Sequence, residues 1–152
     1  MKTKIYAAYG SNMNIEQMRV RCPDAKVIGT GTLKDYKLTF RGTTRGVANI
    51  EKKSGSNVPI VLWEITPKCE KALDIYEGYP RLYVKQDIDV VSEKGIIKAM
   101  AYVMTPKYTK MAAQPAKYYF SVIADGYFDN GIDLKPLETA YVECLSELRK
   151  GR

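Results

Sequence analysis

Between Ala25 and Ile65 the chain is a succession of strands. Ala25–Leu33, Tyr36–Phe40, Val47–Glu51 and Val58–Ile65 carry β-branched and aromatic residues, bounded by glycines and turn residues. Lys34-Asp35 reads as a turn, and Ser54-Gly55-Ser56-Asn57 has the chemistry of a hairpin loop. Lys4–Tyr9 precedes this block as a further strand. Leu82–Val91 and Ile96–Met104 follow it, joined by a turn at Glu93-Lys94-Gly95. So many strands with short connections predict a mostly antiparallel sheet, long enough to curl toward a small barrel.

Helices fall around that sheet. Asn14 opens one, with Gln17 in capping-box register and Met18 facing inward, and Cys22-Pro23 ends it. Thr66-Pro67 starts another with a hydroxyl cap and a first-turn proline. It carries Ala72, Leu73 and Tyr76 inward and stops at Glu77-Gly78, where glycine supplies the left-handed cap. Beyond Pro106 and Pro115 a helix is expected near Ala116–Ala124. The last element is amphipathic, with Leu134, Leu137, Tyr141, Cys144, Leu145 and Leu148 on one face. The expectation is one α+β domain over 1–152, with three or four helices flanking the sheet.

Several function classes drop out. The chain has no histidine, which removes Ser-His-Asp and Cys-His catalysis and the commonest zinc sites. Acid–base work near neutral pH must then come from a carboxylate with a raised pKa, or from a perturbed Lys, Cys or Tyr. Cys22, Cys69 and Cys144 lie far apart with no metal-ligand spacing, and are expected to be free, buried structural thiols of a reducing cytoplasm. No apolar run approaches the ~20 residues of a membrane helix, and Met1–Tyr9 lacks the pattern of a signal peptide. The expected location is cytoplasmic, away from membranes. The net charge is +7, but its clusters, Arg19/Arg21, Arg41/Arg45 and Lys52/Lys53, have acidic neighbours. They read as a solvated basic face, and no basic run or RNA-binder signature argues for a nucleic-acid partner.

Two places look suited to chemistry. Tyr9-Gly10-Ser11-Asn12-Met13-Asn14 runs from a strand through a glycine turn into a helix, a geometry that can aim backbone N–H groups at an anion. It is also ordinary strand-to-helix loop chemistry. The second is Glu77, in the last turn of its helix with Asp74 one turn back and Tyr76, Tyr79 and Tyr83 nearby. The helix dipole, the neighbouring carboxylate and desolvation all push its pKa upward. A solvated glutamate before a glycine cap is the plainer alternative.

Taken in order, Tyr9-Gly10-Ser11-Asn12, Gly31-Thr32-Leu33-Lys34-Asp35-Tyr36-Lys37-Leu38, Leu73-Asp74-Ile75-Tyr76-Glu77-Gly78, Tyr83, and Tyr119 with Ile123 and Gly126 resemble the γ-glutamylcyclotransferase family. The resemblance spans Ile5 to Gly131 and implies a small closed β-barrel with helices packed outside. It places the catalytic acid/base glutamate at Glu77. Substrate-binding positions fall on Tyr9, Gly10, Ser11, Asn12 and Met13, the last a leucine in better-known members, and on Tyr83 and Tyr119. The implied reaction converts a γ-glutamyl amino acid or γ-glutamylamine into 5-oxoproline and a free amine by intramolecular aminolysis. It uses no metal or cofactor. A sister enzyme for another γ-glutamyl substrate, a non-catalytic binding relative and a basic-surface binding protein are the alternatives. The amine side of the substrate and the oligomeric state stay open.

Overall fold

The computed structural model describes residues 2–151; Met1 and Arg152, the ends of the expected domain, lie outside the described residues. Five strands close into a barrel in the order β1-β3-β2-β4-β5. They are β1 Lys4–Ala8, β2 Lys26–Arg41, β3 Val47–Ile65, β4 Tyr83–Ser92 and β5 Gly95–Met104. Four α-helices flank them: α1 Ile15–Arg21, α2 Pro67–Tyr76, α3 Lys117–Asp129 and α4 Lys135–Lys150. Pairing is antiparallel except where β1 meets β5 at Tyr6 and Met100, which closes the barrel with a parallel contact. The α+β class and the mostly antiparallel closed barrel are those expected.

The four segments expected between residues 25 and 65 form two long strands. Lys34 pairs with Asn57 and Tyr36 with Lys52, which leaves residues 53–56 facing Asp35 alone. Asp35 takes a left-handed φ of 64°, and its Oδ1 accepts a hydrogen bond from Gly55 N–H at 3.0 Å. The ribbon therefore bulges at this point, and the chain reverses between Arg41 and Val47. The misreading has a physical cause: a bulge and a tight turn both call for glycine and for short polar residues tolerant of positive φ.

The helix caps form as their residues imply. Asn14 Oδ1 accepts from Gln17 N–H at 3.0 Å, Thr66 Oγ1 accepts from Cys69 N–H at 3.2 Å, and Gly78 takes a φ of 65° beyond α2. Met18 and Leu73 are fully buried, whereas Tyr76, expected inward, is 44% exposed. On α4, Leu137, Ala140 and Cys144 are buried, whereas Leu134, which precedes the helix, is exposed. Arg41 departs from the solvated basic face. It is buried and pairs with Glu51 through Nε at 2.7 Å and with Glu147 of α4 at 2.7 Å, fastening that helix to the barrel.

The cysteines also correct an expectation. Cys22, at the C-terminal end of α1, and Cys69, in the first turn of α2, are joined as a disulfide with Cα atoms 5.0 Å apart. Only Cys144 is free, and it is buried as expected. A separation of 47 residues concealed the pair, because it arises from the packing of α1 beside α2 and not from local spacing.

Candidate active site

The site begins where β1 runs out. After Tyr9 and Gly10 the chain makes a 3₁₀ turn over Ser11–Met13, closed by Met13 N–H to Gly10 O at 3.0 Å and Asn14 N–H to Ser11 O at 3.1 Å. Helix α3 grips this turn from behind. Asn14 Nδ2 donates to Val122 O at 2.9 Å, and Asn130 Nδ2 donates to Met13 O at 3.0 Å. At Gly126 the helix comes so close that a Cβ would lie 2.8 Å from both Met13 C and Asn14 N. That approach accounts for the glycine seven residues after Tyr119.

Asn12 is a structural centre of the loop. Its Nδ2 donates to the Tyr6 hydroxyl at 3.0 Å, its Oδ1 accepts from Arg21, and its backbone carbonyl accepts from Trp63 Nε1 at 3.0 Å. The side chain is 4% exposed and already committed. Met13, with no exposed surface, packs beneath the turn and does not line the cavity described next.

A cavity of about 200 Å³ opens beside the loop. It brings together Tyr9, Gly10, Ser11, Asn12, Glu77, Tyr83 and Tyr119 from segments far apart in sequence. It also draws in Tyr76, expected beside Glu77, and Tyr6, Ala48 and Tyr102, which the sequence reading did not assign to a site. Strand alternation gave no sign of Tyr6, and Ala48 contributes mainly backbone. Tyr83 donates its hydroxyl proton to Ala48 O at 2.6 Å, while Ala48 N–H donates to the Tyr119 hydroxyl at 2.9 Å. As acceptors in these contacts, Tyr6 and Tyr119 each keep an O–H proton to offer a ligand.

Glu77 follows the last residue of α2 and turns its carboxyl group into the cavity. Burial pushes its pKa up to about 7, opposed by the positive charge of Arg21. The expected contribution from Asp74 is not seen. That carboxylate accepts from the Tyr102 hydroxyl at 2.6 Å and pairs with Lys85 at 3.1 Å, so its charge is spent elsewhere. Burial also holds the Tyr6, Tyr9, Tyr83 and Tyr119 phenols above their ordinary values, with the Glu77 charge reinforcing the effect. The cavity thus presents neutral hydroxyl donors around one carboxyl group whose pKa is raised toward the neutral range.

Similarity to known proteins runs along most of the chain. The family described as gamma-glutamyl cyclotransferase, AIG2-like matches residues 6–128. Human gamma-glutamylcyclotransferase is 31% identical over 141 residues, covering 86% of this chain and 73% of that protein. The mouse protein of the same name is 32% identical over the same lengths. A solved structure of a gamma-glutamyl cyclotransferase superposes with a TM-score of 0.82 at 30% identity, covering 91% of this chain and 86% of the other.

Proposed function

The chain belongs to the gamma-glutamyl cyclotransferase, AIG2-like family, and from that premise we propose that Glu77 relays protons in the cyclisation of a γ-glutamyl amino acid or γ-glutamylamine. The observation that carries this reading is the Glu77 carboxyl group, held near a pKa of about 7 in the same cavity as the Tyr9–Asn12 loop. A base serves best when its pKa lies near the working pH, and burial brings Glu77 there.

The substrate carries an α-ammonium and an α-carboxylate on the same carbon. The Glu77 carboxylate draws in the ammonium and removes a proton, freeing the nitrogen lone pair. That nitrogen attacks the γ-carbonyl carbon, forming the five-membered ring and a tetrahedral oxyanion. The bond from this carbon to the departing nitrogen then breaks as Glu77 returns a proton to it. The attacking nitrogen, cationic once the ring has closed, gives its second proton to Glu77, which passes it to the departing amine. Overall the attacking nitrogen loses two protons and the departing nitrogen gains two, so the products are the carboxylate of 5-oxoproline and an ammonium.

The remaining groups supply orientation and charge stabilisation. The first amides of a helical turn have no acceptor within it. Met13 and Asn14 N–H close the turn, so the amides of Ser11 and Asn12 are available to the substrate α-carboxylate. The free O–H protons of Tyr6 and Tyr119 suit the developing oxyanion. Folding the substrate so that its amine meets its carbonyl contributes several kcal/mol, the usual scale for orienting tethered groups. The test is a mass-spectrometric screen of γ-glutamyl amino acids, γ-glutamylamines and glutathione for 5-oxoproline. Release from at least one class, abolished by Glu77→Gln, is expected; no release from any of them rejects the reading.

A further inference from the structure

Arg19 and Arg21 look alike in the sequence, but the structure separates them. Arg19 is out in solvent beside Glu16. Arg21 turns toward the site, with its guanidinium 3.3 Å from the centroid of the Tyr76 ring. Its Nη1 donates to Asn12 Oδ1 and, at 3.4 Å, to Ser11 Oγ, which in turn lies 3.3 Å from the Tyr76 hydroxyl. One side chain therefore ties the substrate loop to the end of α2, immediately before Glu77. Among the described residues no carboxylate forms an ion pair with Arg21, so its charge is not neutralised by a direct partner.

We propose that Arg21 is a positioning residue of this site, clamping the Ser11–Asn12 loop against Tyr76 and supplying the positive charge that faces Glu77. The other titratable groups lining the cavity with that carboxylate are phenols: Tyr6 from β1, Tyr9 just beyond it, Tyr76 from α2, Tyr83 from β4, Tyr102 from β5 and Tyr119 from α3. Burial holds the Tyr6, Tyr9, Tyr83, Tyr102 and Tyr119 phenols above their ordinary values, so they bring no charge to compete. Burial favours the protonated acid, and Arg21 favours the carboxylate. Without the guanidinium, burial acts unopposed and the base form becomes scarce at neutral pH. A nearby opposite charge moves a carboxylate by about one unit or more.

The clamp and the charge can be separated by substitution. Lysine keeps the charge but lacks the planar fork and the stacking of a guanidinium. Arg21→Met removes both functions at similar length. The kinetic part of the test rests on the cyclotransferase reading, and the spectroscopic part does not. The full chain is labelled with ¹³C at glutamate side-chain carboxyl carbons, and the Glu77 signal is assigned by its loss in Glu77→Gln. The wild-type midpoint is expected at about 7. Arg21→Met should raise it by about one unit, while Arg21→Lys should leave it nearly unchanged. With γ-glutamylglycine as probe, the acidic limb of kcat/KM should move with the midpoint in Arg21→Met. In Arg21→Lys the limb should stay and KM rise about tenfold, because the loop is no longer clamped.

Arg21→Gln carries the same spectroscopic expectation as Arg21→Met if the latter does not fold. A Glu77 midpoint unchanged in the folded, uncharged variant overturns the proposal. A midpoint that rises in a protein releasing no 5-oxoproline from any γ-glutamyl compound supports the Arg21 assignment and rejects the cyclotransferase reading alone.

Discussion

Replacing Glu77 by glutamine is expected to make the protein both less active and more stable. Glutamine keeps the shape and can accept a hydrogen bond, but it cannot take up and return a proton. Loss of the relay should lower kcat by about 10²-fold or more, with a much smaller change in KM. The stability gain follows from the carboxyl titration. Glu77 ionises at 4.5 in an ordinary setting and at about 7 in the fold. Between those values the folded state holds a proton that the unfolded chain has released, so folding weakens as pH rises. Each unit is about 1.4 kcal/mol, which makes the full gap about 3 kcal/mol, or about 2 once water at the cavity rim is allowed for. At pH 8 the glutamine variant escapes this penalty. For a domain this size that corresponds to a rise in Tm of about 4–8 °C. At pH 4 both side chains are neutral and the two melting curves should coincide. Circular-dichroism melts at the two pH values, beside a 5-oxoproline release assay, read both effects. Wild-type turnover in Glu77→Gln would refute the relay, and an equal Tm change at both pH values would refute ionisation as the source of the gain.

Three further outcomes are expected. In the wild type, kcat/KM should fall as pH drops through about 7, since the carboxylate is the active form; a flat profile across that range would remove Glu77 as the base. Gly126→Ala should destabilise the fold by about 1–3 kcal/mol and raise KM, because the added carbon meets backbone atoms of the loop 2.8 Å away; unchanged melting and kinetics would mean that α3 does not hold the loop. Thiol titration of the unreduced, denatured protein should count one cysteine, Cys144, and three after reduction, whereas three from the start would contradict the Cys22–Cys69 link.

Local chemistry was legible wherever a few adjacent residues decide the outcome. Asn14 with Gln17, Thr66 with Pro67, and Glu77 with Gly78 each mark a helix end, because caps are settled within one turn of chain. Ser54–Asn57 misled for the same reason, since local chemistry does not say whether a partner strand continues alongside. The site showed a similar division. Tyr9–Asn12, Glu77, Tyr83 and Tyr119 stood out through an ordered resemblance, and all line the cavity. Met13 came with that set but lies under the loop, where its neighbour is Gly126. Ala48 acts through its amide and carbonyl, which any residue would provide. Arg21 and the Cys22–Cys69 pair depend on how α1 lies against the loop and α2, a relation without a local signature.

The anchoring of Asn12 also bears on what a ligand finds when it arrives. Holding a residue in one backbone conformation costs about 1–2 kcal/mol of entropy, so fixing the four residues Tyr9–Asn12 amounts to about 4–8 kcal/mol. The groups that anchor the loop, Trp63, Tyr6 and Arg21, belong to the protein itself, which places that cost in folding and not in recognition. Association need not wait for the turn to assemble, and the free and occupied proteins should share nearly the same loop. A greater part of the attraction between protein and ligand can then act on the ligand itself, turning a flexible chain until its two ends meet.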